Sequence, residues 1–539
     1  MLTDDRTVAE TAVISVTVQP WQLRGSVSNG GGRVVSFIWQ SGSLLFGNPG
    51  LFYLAIRLIR TWPAKSSGIM YEKVITNSME LSSESLAEYT KQISIDDLPE
   101  EVEEQVERLT LDTIGCALGA FNSPPSKKIR QVYDNRDSGG SESTIFGSGK
   151  NVDVEYGALI NGIMGRYLDF NDCYTTQSAA CHPSDHIPAL VSVAEAEQAS
   201  GADLIESVVI AYEIQCRGVD TGIVTAEGFD YSTWAAYSSV AAVGKLMDLD
   251  KDQLINAFGI AGSNNNGLLI ARLGTVSMYK GMAVPYVTHN AIQACQMARN
   301  GITGPKQVFE GDRGFFEVVS KEPVSLEDLG GRNGVEDYRV METSFKTFAC
   351  GFYTHPSVTA ALDIVRENNI DPNDIEKIEV ETFTQAVEGY ASGPEKWARD
   401  MNRETADHSL PYNVSVAIID DEVTPEQYNE EHLQDEQIYQ MMQKVSVQAD
   451  EDLDQYRMEN PRHMPSKVAI EASGEKHRKR VNYPKGHPER PMTNDELRSK
   501  AEDLMDPYLS GQQIETLAEN CFNLKSENSI NNIINSLKI

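Results

Sequence analysis

The middle of the chain repeats apolar side chains at the spacing of an amphipathic helix. Five of them stand at positions i, i+1, i+4, i+5 and i+8, namely Leu204, Ile205, Val208, Val209 and Tyr212. This spacing places them on one helix face, which a folded protein buries. Asp250, followed three residues later by Gln253, has the form of a capping box that opens another helix. Similar patterns predict a large, all-helical domain over residues 79–342.

After residue 342 the spacing changes from helical to alternating. Three strand-forming side chains alternate with charged ones, namely Ile378, Val380 and Thr382. Two further alternating runs, at residues 445–447 and 468–472, predict more strands, which we expect to be antiparallel. The sequence therefore predicts a smaller α+β domain over residues 343–490. Apolar spacing after Met492 predicts C-terminal helices over residues 491–539 that return to the helical domain.

The first 78 residues differ from the remainder in charge. They hold four acidic and seven basic residues, a net charge of +3, so the remaining residues carry −36 of the chain's formal −33. The stretch from Val35 to Ile59 is fairly apolar, but polar residues and Pro49 interrupt it, which makes a membrane span or signal peptide a weak prediction. We interpret residues 1–78 as a poorly ordered extension, with Met70 and Met79 as alternative starts.

The charge of the whole chain limits its partners. A formal charge of −33 repels phosphate backbones and anionic membrane surfaces, so we expect neither a nucleic-acid nor a membrane partner. The carboxylate excess fits a salt-rich cytoplasm, and it fits high solubility alone equally well.

Cysteine usage indicates a reduced, cytoplasmic protein. The seven cysteines are an odd number and include no C-x-x-C pair. This pattern argues against a zinc ribbon, a disulfide framework and a ferredoxin-type cluster.

The most polar segment of the chain lies within residues 168–186. It reads LDFNDC at 168–173 and CHPSDH at 181–186. Loop-borne acids and imidazoles are common in active sites, although a capped helix end with solvated carboxylates fits this segment equally well. His182 and His186 have H-x-x-x-H spacing, but Pro183 disfavours the helix that would aim both at one metal ion. We therefore predict no metal site here.

Three further segments combine cations or histidines with hydroxyl groups. They read RLGTVSMYKG at 272–281, FKTFACGFYTHP at 345–356 and ADHSLPY at 406–412. Lysine and arginine are the donors that carboxylate ligands need, and the second segment lies at the predicted domain junction, where ligand sites are frequent. Each segment has a structural alternative: a solvated helix face, a hinge and a helix N-cap, respectively. The chain has no P-loop, no clear G-x-G-x-x-G after a strand and no G-x-S-x-G elbow.

Taken in order, these segments resemble the MmgE/PrpD family, from about Ser83 to about Leu504. Further matching segments are DTIG at 112–115, NG at 161–162, GITGP at 301–305 and YPKGHP at 483–488. The resemblance implies a mainly α fold, with a large helical domain and a smaller α+β lid domain. It also implies a homodimer, a site in the cleft between the domains, and no metal or organic cofactor.

The resemblance also implies which residues form the site. Its catalytic residues would be Asp169, His182, Lys280, Lys346 and His355. Its substrate-binding residues would be Arg272, Ser277, Asp230, His408 and Tyr412. We expect Asp169 and His182 to form an acid/base pair, with cations stabilising the enolate-like charge of the transition state.

The family includes 2-methylcitrate dehydratase and cis-aconitate decarboxylase, so the expected activity is dehydration of a small tricarboxylic acid. Asp230 occupies the place where the decarboxylase branch has a histidine, which favours conversion of 2-methylcitrate to 2-methyl-aconitate in propionate catabolism. Cys173 replaces a frequent threonine, and an insertion at about 175–180 precedes His182. Decarboxylation of cis-aconitate, or another lyase or isomerase reaction, is the first alternative. A catalytically inactive binding protein is the second.

Overall fold

The computed structural model describes residues 13–19, 22–28, 34–40, 81–133, 142–177, 179–324, 329–330 and 334–539. The chain forms two compact units, Met1–Ser78 and Met79–Ile539. Within the first unit, β1 (Val13–Gln19), β2 (Gln22–Ser28) and β3 (Val34–Gln40) form an antiparallel sheet in that order. The rest of the predicted extension, including most of the apolar stretch, lies outside the described residues. In the described part of the chain, no helix has the length and apolarity that crossing a membrane requires.

The second unit begins with a helical part. Its helices are α1 (Ser82–Gln92), α2 (Glu100–Gly119), α3 (Pro124–Tyr133), α4 (Val154–Tyr167), α5 (Ile187–Ala196), α6 (Gly201–Asp220), α7 (Ile223–Ala226), α8 (Ser232–Leu246), α9 (Lys251–Gly262), α10 (Ala283–Arg299) and α11 (Phe315–Val318). Two short hairpins accompany them: β4 (Ser143–Thr144) with β5 (Asn151–Val152), and β6 (Tyr174–Thr175) with β7 (Ala180–Cys181).

The helical part forms as the apolar spacing predicts. All five side chains of the repeat at residues 204–212 are buried in α6, and the capping box of Asp250 and Gln253 opens α9. Helix α8 packs against both α6 and α10. The contact with α6 is close, because a Cβ atom on Gly218 would lie 1.8 Å from Nε1 of Trp234. Glycine therefore sets the distance between these two helices.

The α+β part follows. Its helices are α12 (His355–Asn368), α13 (Arg403–Ala406), α14 (Leu410–Asp420), α15 (Glu430–Gln434), α16 (Glu436–Met442) and α17 (Glu451–Glu459). Its strands are β8 (Ile375–Thr382), β9 (Val445–Ala449), β10 (Ser466–Ala472) and β11 (Glu475–Val481).

The four strands form one sheet in the order β11-β10-β8-β9. Strands β8 and β10, and β10 and β11, are antiparallel as predicted. The prediction was wrong for β9, which runs parallel to β8 and pairs Ile378 with Val445. Alternation of side chains reports which face of a strand is buried and carries no information on strand direction. Helix α12 covers β10 and β11.

The C-terminal helices return to the helical part. They are α18 (Asn494–Met505), α19 (Gly511–Phe522) and α20 (Asn531–Ser536). Helix α18 packs along α2, where the backbone of Ala501 lies 3.2 Å from the position of a Cβ atom on Gly115. One continuous apolar core runs through the helical part, the sheet and these helices, so the predicted boundaries at 342 and 490 do not separate compact units.

We predict that Gly218→Ala destabilises the protein by about 1–3 kcal/mol, because the added methyl group forces α6 and α8 apart. Gly511→Ala is the matched control, since nothing lies within 4 Å of its Cβ position and alanine favours helices. Urea unfolding measures both changes. Equal effects of the two substitutions would contradict the close approach described here.

Candidate active site

The helical and α+β parts enclose a cleft with a cavity volume of about 80 Å³. Its ionisable lining residues are Arg166, Asp169, His182, Asp230, Arg272, Lys280 and His408. Tyr231, Tyr353 and Tyr390 also line it. The cleft therefore contains residues from all four segments that the sequence singles out. The segment at 345–356 contributes its residues 351–354.

Asp169 lies at the centre of the charged groups. It follows the end of α4 with a φ of +52°, a left-handed conformation that aspartate tolerates better than most residues. Its completely buried carboxylate pairs with Arg166, and it lies 3.3 Å from Nζ of Lys280 and 3.1 Å from Nζ of Lys346. Burial alone would raise the pKa of Asp169, but Lys280, Lys346 and Arg166 hold it well below the usual range. Asp169 is consequently an ionised anchor and a poor proton donor.

His182 follows the second strand of the β6–β7 hairpin and faces the cleft. Its Nδ1 lies 2.6 Å from the carbonyl oxygen of Asp172, which can only accept a hydrogen bond. Nδ1 therefore carries the hydrogen, and Nε2 keeps its lone pair. Burial, with help from Arg166 and Lys346, lowers the pKa of His182 well below 6.5. His182 is thus a neutral imidazole with a free acceptor nitrogen.

Lys280 connects Asp169 with Asp407 and His408. Its Nζ lies 3.2 Å from Nδ1 of His408 and 3.8 Å from Oδ1 of Asp407, and the His408 ring also pairs with Asp407. Burial lowers the pKa of Lys280 to about 8, although Asp169 and Asp407 oppose the shift. Burial and Lys280 lower the pKa of His408 to about 4. Lys280 is therefore a cation that can release its proton near neutral pH.

Arg272 and Asp230, which the sequence predicts as separate substrate ligands, bind each other. The guanidinium group contacts both carboxylate oxygens, with Nε 2.8 Å from Oδ2 and Nη2 3.1 Å from Oδ1. Arg272 also stacks on the ring of Tyr231 at 4.5 Å and donates from Nη1 to the carbonyl of Lys280. The pair holds the 272–280 segment against the start of α8. Asp230 thus largely neutralises the positive charge of Arg272 before any substrate binds.

Four predicted site residues lie outside the cleft lining. Lys346 is fully buried behind Asp169, where it donates to the Asp169 carbonyl at 2.8 Å. His355 is fully buried between Phe348 and Phe352, and burial lowers its pKa to about 3.

The other two are Ser277 and Tyr412. Ser277 is exposed at the start of a short 3-10 turn. Tyr412 is buried and donates to the Gln427 carbonyl at 2.6 Å. The chain turns Ser277 towards solvent and His355 and Tyr412 into the core, so the cleft lining does not include them, and the catalytic role of His355 and the substrate contacts of Ser277 and Tyr412 stay predictions.

Two buried cations escaped the sequence analysis. Arg166 lines the cleft three residues before Asp169, in the last turn of α4, and this nearness in sequence is the signal that could have identified it. Lys500, on α18, lies 2.6 Å from the carboxylate of buried Asp112 and donates to the carbonyl of Phe170 at 2.7 Å. Because Lys346 holds the preceding carbonyl, two lysines fix consecutive peptides of the Asp169 loop. Only the folded chain brings residue 500 to this loop.

The charged cluster is a poor metal site. Single ligand atoms of Asp169, Asp407 and His408 lie within 4.8 Å of one another, which is close enough for a shared ion. However, Lys280 lies among them, and Lys346 also contacts Asp169. A divalent cation would have to displace these ammonium groups, so the donor set favours an anionic ligand nearby.

Comparison with known proteins gives matches along most of the second unit. The model of the MmgE/PrpD N-terminal domain matches residues 84–327, and that of the MmgE/PrpD C-terminal domain matches residues 348–524. The probable 2-methylcitrate dehydratase of Saccharomyces cerevisiae is 25% identical over 408 residues, which cover 70% of this chain and 76% of the relative. The 2-methylcitrate dehydratase of Salmonella typhimurium is 25% identical over 352 residues, covering 62% and 71%. The cis-aconitate decarboxylase of Aspergillus terreus is 23% identical over 392 residues, covering 69% and 79%.

We predict that Lys500→Met destabilises the protein by about 3–5 kcal/mol, because it leaves the Asp112 carboxylate buried without its cation. The double variant Lys500→Met/Asp112→Leu removes that unpaired charge and should recover at least half of the loss. Urea unfolding of the two variants and the unmodified protein gives the comparison. If the single variant unfolds at the same urea concentration as the unmodified protein, the Lys500 pair does not hold the loop.

Proposed function

The chain belongs to the MmgE/PrpD family, and from this membership we propose that it is a hydro-lyase that dehydrates a small hydroxy-tricarboxylic acid. The relatives and the cleft together favour 2-methylcitrate as substrate and 2-methyl-aconitate as product. The observation that carries the proposal is that His182, with a free acceptor nitrogen, and Lys280, held 3.3 Å from the Asp169 carboxylate, line the same cleft. Elimination of water needs a base and an acid of this kind.

The charge of the cleft suits a polycarboxylate. Its lining carries the cations Arg166, Arg272 and Lys280 against the carboxylates Asp169 and Asp230. Both carboxylates are fully engaged with these cations, so the lining presents no free negative charge to a substrate. In a chain of formal charge −33, this local balance lowers the repulsion that an approaching polyanion meets.

We assign the base to His182. Dehydration of a β-hydroxy acid removes a proton from the carbon next to a carboxylate. Nε2 of His182 has a lone pair because Nδ1 donates to the Asp172 carbonyl, and its low pKa keeps the ring neutral at physiological pH. The imidazole therefore faces the cleft in the form that accepts a proton. The cations around it stabilise the enolate-like charge that develops.

We assign the acid to Lys280, which changes the expected acid/base pair. The departing hydroxyl needs a proton, and the cations around Asp169 hold its pKa too low to supply one. Lys280 has a pKa of about 8 and is protonated at pH 7. Asp169 then acts by holding the ammonium group at 3.3 Å and by tying it to Arg166 and Lys346. Lys346 supports this arrangement from behind the cleft.

Decarboxylation of cis-aconitate is the second candidate function. The observation that favours it is the similarity to the Aspergillus terreus enzyme of that name. The proton donor that dehydration requires would serve there to protonate a carbanion after loss of carbon dioxide. The two reactions differ in their products, which separates them by experiment.

We also propose a cytoplasmic homodimer. All seven cysteines are free and buried, which suits a reducing compartment. The dimer is the expectation that the family resemblance brings, and light scattering on the purified chain measures it.

We predict that the purified protein dehydrates 2-methylcitrate. Proton NMR of the products formed from citrate, 2-methylcitrate and cis-aconitate measures this activity. Lys280→Ala should lower kcat by about 10²–10⁴-fold, because one positioned proton-transfer group is lost. Lys306→Ala is the control, since Lys306 is an exposed partner of Asp252 and is not among the residues that line the cleft. Carbon dioxide release from cis-aconitate would favour the second candidate, and full activity of the Lys280 variant would exclude the assigned acid.

The pH profile tests the same assignment independently. We expect kcat/KM to fall as pH rises through about 8, because Lys280 then loses the proton that it must donate. The fall at low pH should come well below pH 6.5, where His182 becomes protonated and stops acting as a base. Arginine stays protonated over this range, so Lys280→Arg should remove the fall near pH 8 while lowering the rate. An unchanged fall in that variant would assign the titration to another group.

A further inference from the structure

The cleft has an uncharged side that the proposed chemistry does not use. Cys173, Phe352 and Tyr353 line it and belong to a small apolar cluster that is separate from the main core. Ala180 and Tyr390 pack against the same cluster and also line the cleft. Carboxylate groups find no cation on this side, which consists largely of aromatic and aliphatic carbon. A substrate that fills the whole cleft therefore carries an apolar group as well.

A second, smaller cavity of about 10 Å³ adjoins the cleft. Ala179, Thr225 and Tyr231 line both spaces, which makes the two neighbours. The remaining walls of the small cavity are two glycines together with Val219, Val224 and Trp234. Of the described residues, none with a formal charge lines it. Its volume suits about one group of the size of a water molecule or a methyl.

The polar atoms around the small cavity already have partners. The Tyr231 hydroxyl donates to Oδ2 of Asp185 at 3.1 Å, and Nε1 of Trp234 donates to the Ile214 carbonyl at 2.7 Å. The Thr225 hydroxyl donates to the Gly222 carbonyl at 3.0 Å. A buried water needs two to four hydrogen-bonding partners, and these three side chains have no donor left for it, since only the hydroxyl oxygens of Thr225 and Tyr231 can still accept a hydrogen bond. Carbon is consequently the better occupant.

We propose that the small cavity is a subsite for the end of an alkyl substituent, so that this chain accepts hydroxy-tricarboxylates with substituents longer than methyl. The first carbon of the substituent lies against the apolar side of the cleft, and the second enters the space between Val219 and Val224. The cations and His182 act on the carboxylate-bearing carbons as before. This inference rests on the proposed dehydration and names its substrate class.

Val224 provides the test, because it lines the small cavity and not the cleft. The substrates are citrate derivatives with methyl, ethyl and propyl groups at the same carbon, and kcat/KM is measured for each. The unmodified protein should turn over the ethyl derivative at least as well as the methyl derivative. Val224→Leu fills the cavity, so it should lower kcat/KM for the ethyl derivative about tenfold and leave the methyl derivative within about threefold.

Val224→Ala is the opposite variant and should improve the propyl derivative relative to the ethyl one, since it enlarges the cavity. Val224→Ile also adds a single carbon. It takes the place of Val224→Leu if circular dichroism shows that the leucine variant is unfolded. The subsite is disproved if the larger side chain slows methyl and ethyl derivatives by the same factor, or if the unmodified protein prefers methyl by tenfold or more. Dehydration of no derivative at all would instead refute the proposed function.

Discussion

The buried carboxylate of Asp169 is the interaction on which the site depends. A lone carboxylate is very costly to bury, and its burial becomes tolerable only when cations surround it. Those cations come from the end of α4, from the 278–282 segment and from the start of the α+β part, as Arg166, Lys280 and Lys346. One charge thus requires three distant stretches of chain to meet. Burial lowers the pKa of Lys280 and that of His182, whereas Asp169 opposes both shifts, so burial and the ion-pair network together set the protonation of the cleft.

The charged groups divide into those that line the cleft and those that lie behind it and hold them. His182 and Lys280 line the cleft. Lys346 lies behind it, where it contacts the Asp169 loop. Asp230 and Arg272 lie between these roles, since they line the cleft but are bound to each other. The uncharged side of the cleft belongs to the α+β part and the β6–β7 hairpin. Charge and shape are therefore supplied by different surfaces, which leaves substrate size free to vary without altering the acid and base.

Much of this fold could be predicted because burial leaves a local trace in the sequence. The five-residue apolar repeat in α6 and the capping box of α9 are properties of neighbouring residues. The direction of β9 depends on the connection through α16 and could not be predicted from alternation. For the site, segment order assigned Asp169, His182 and Lys280 to one site, and all three line the same cleft. It could not tell that His355 turns into the core or that Lys500 reaches the loop, because side-chain direction and long-range contact are tertiary properties.

The position of Lys500 late in the chain has a kinetic consequence. The Asp169 loop is complete in sequence some 330 residues before the lysine that holds the Phe170 carbonyl. Contacts of such large sequence separation form slowly, because the intervening chain must first be ordered. During synthesis, the helical part can therefore collapse while the Asp169 loop still lacks the lysine that holds its Phe170 carbonyl. Docking of α18 on α2 then brings Lys500 to this loop, and protein stalled before that step would lack the hydrogen bond that holds the Phe170 carbonyl.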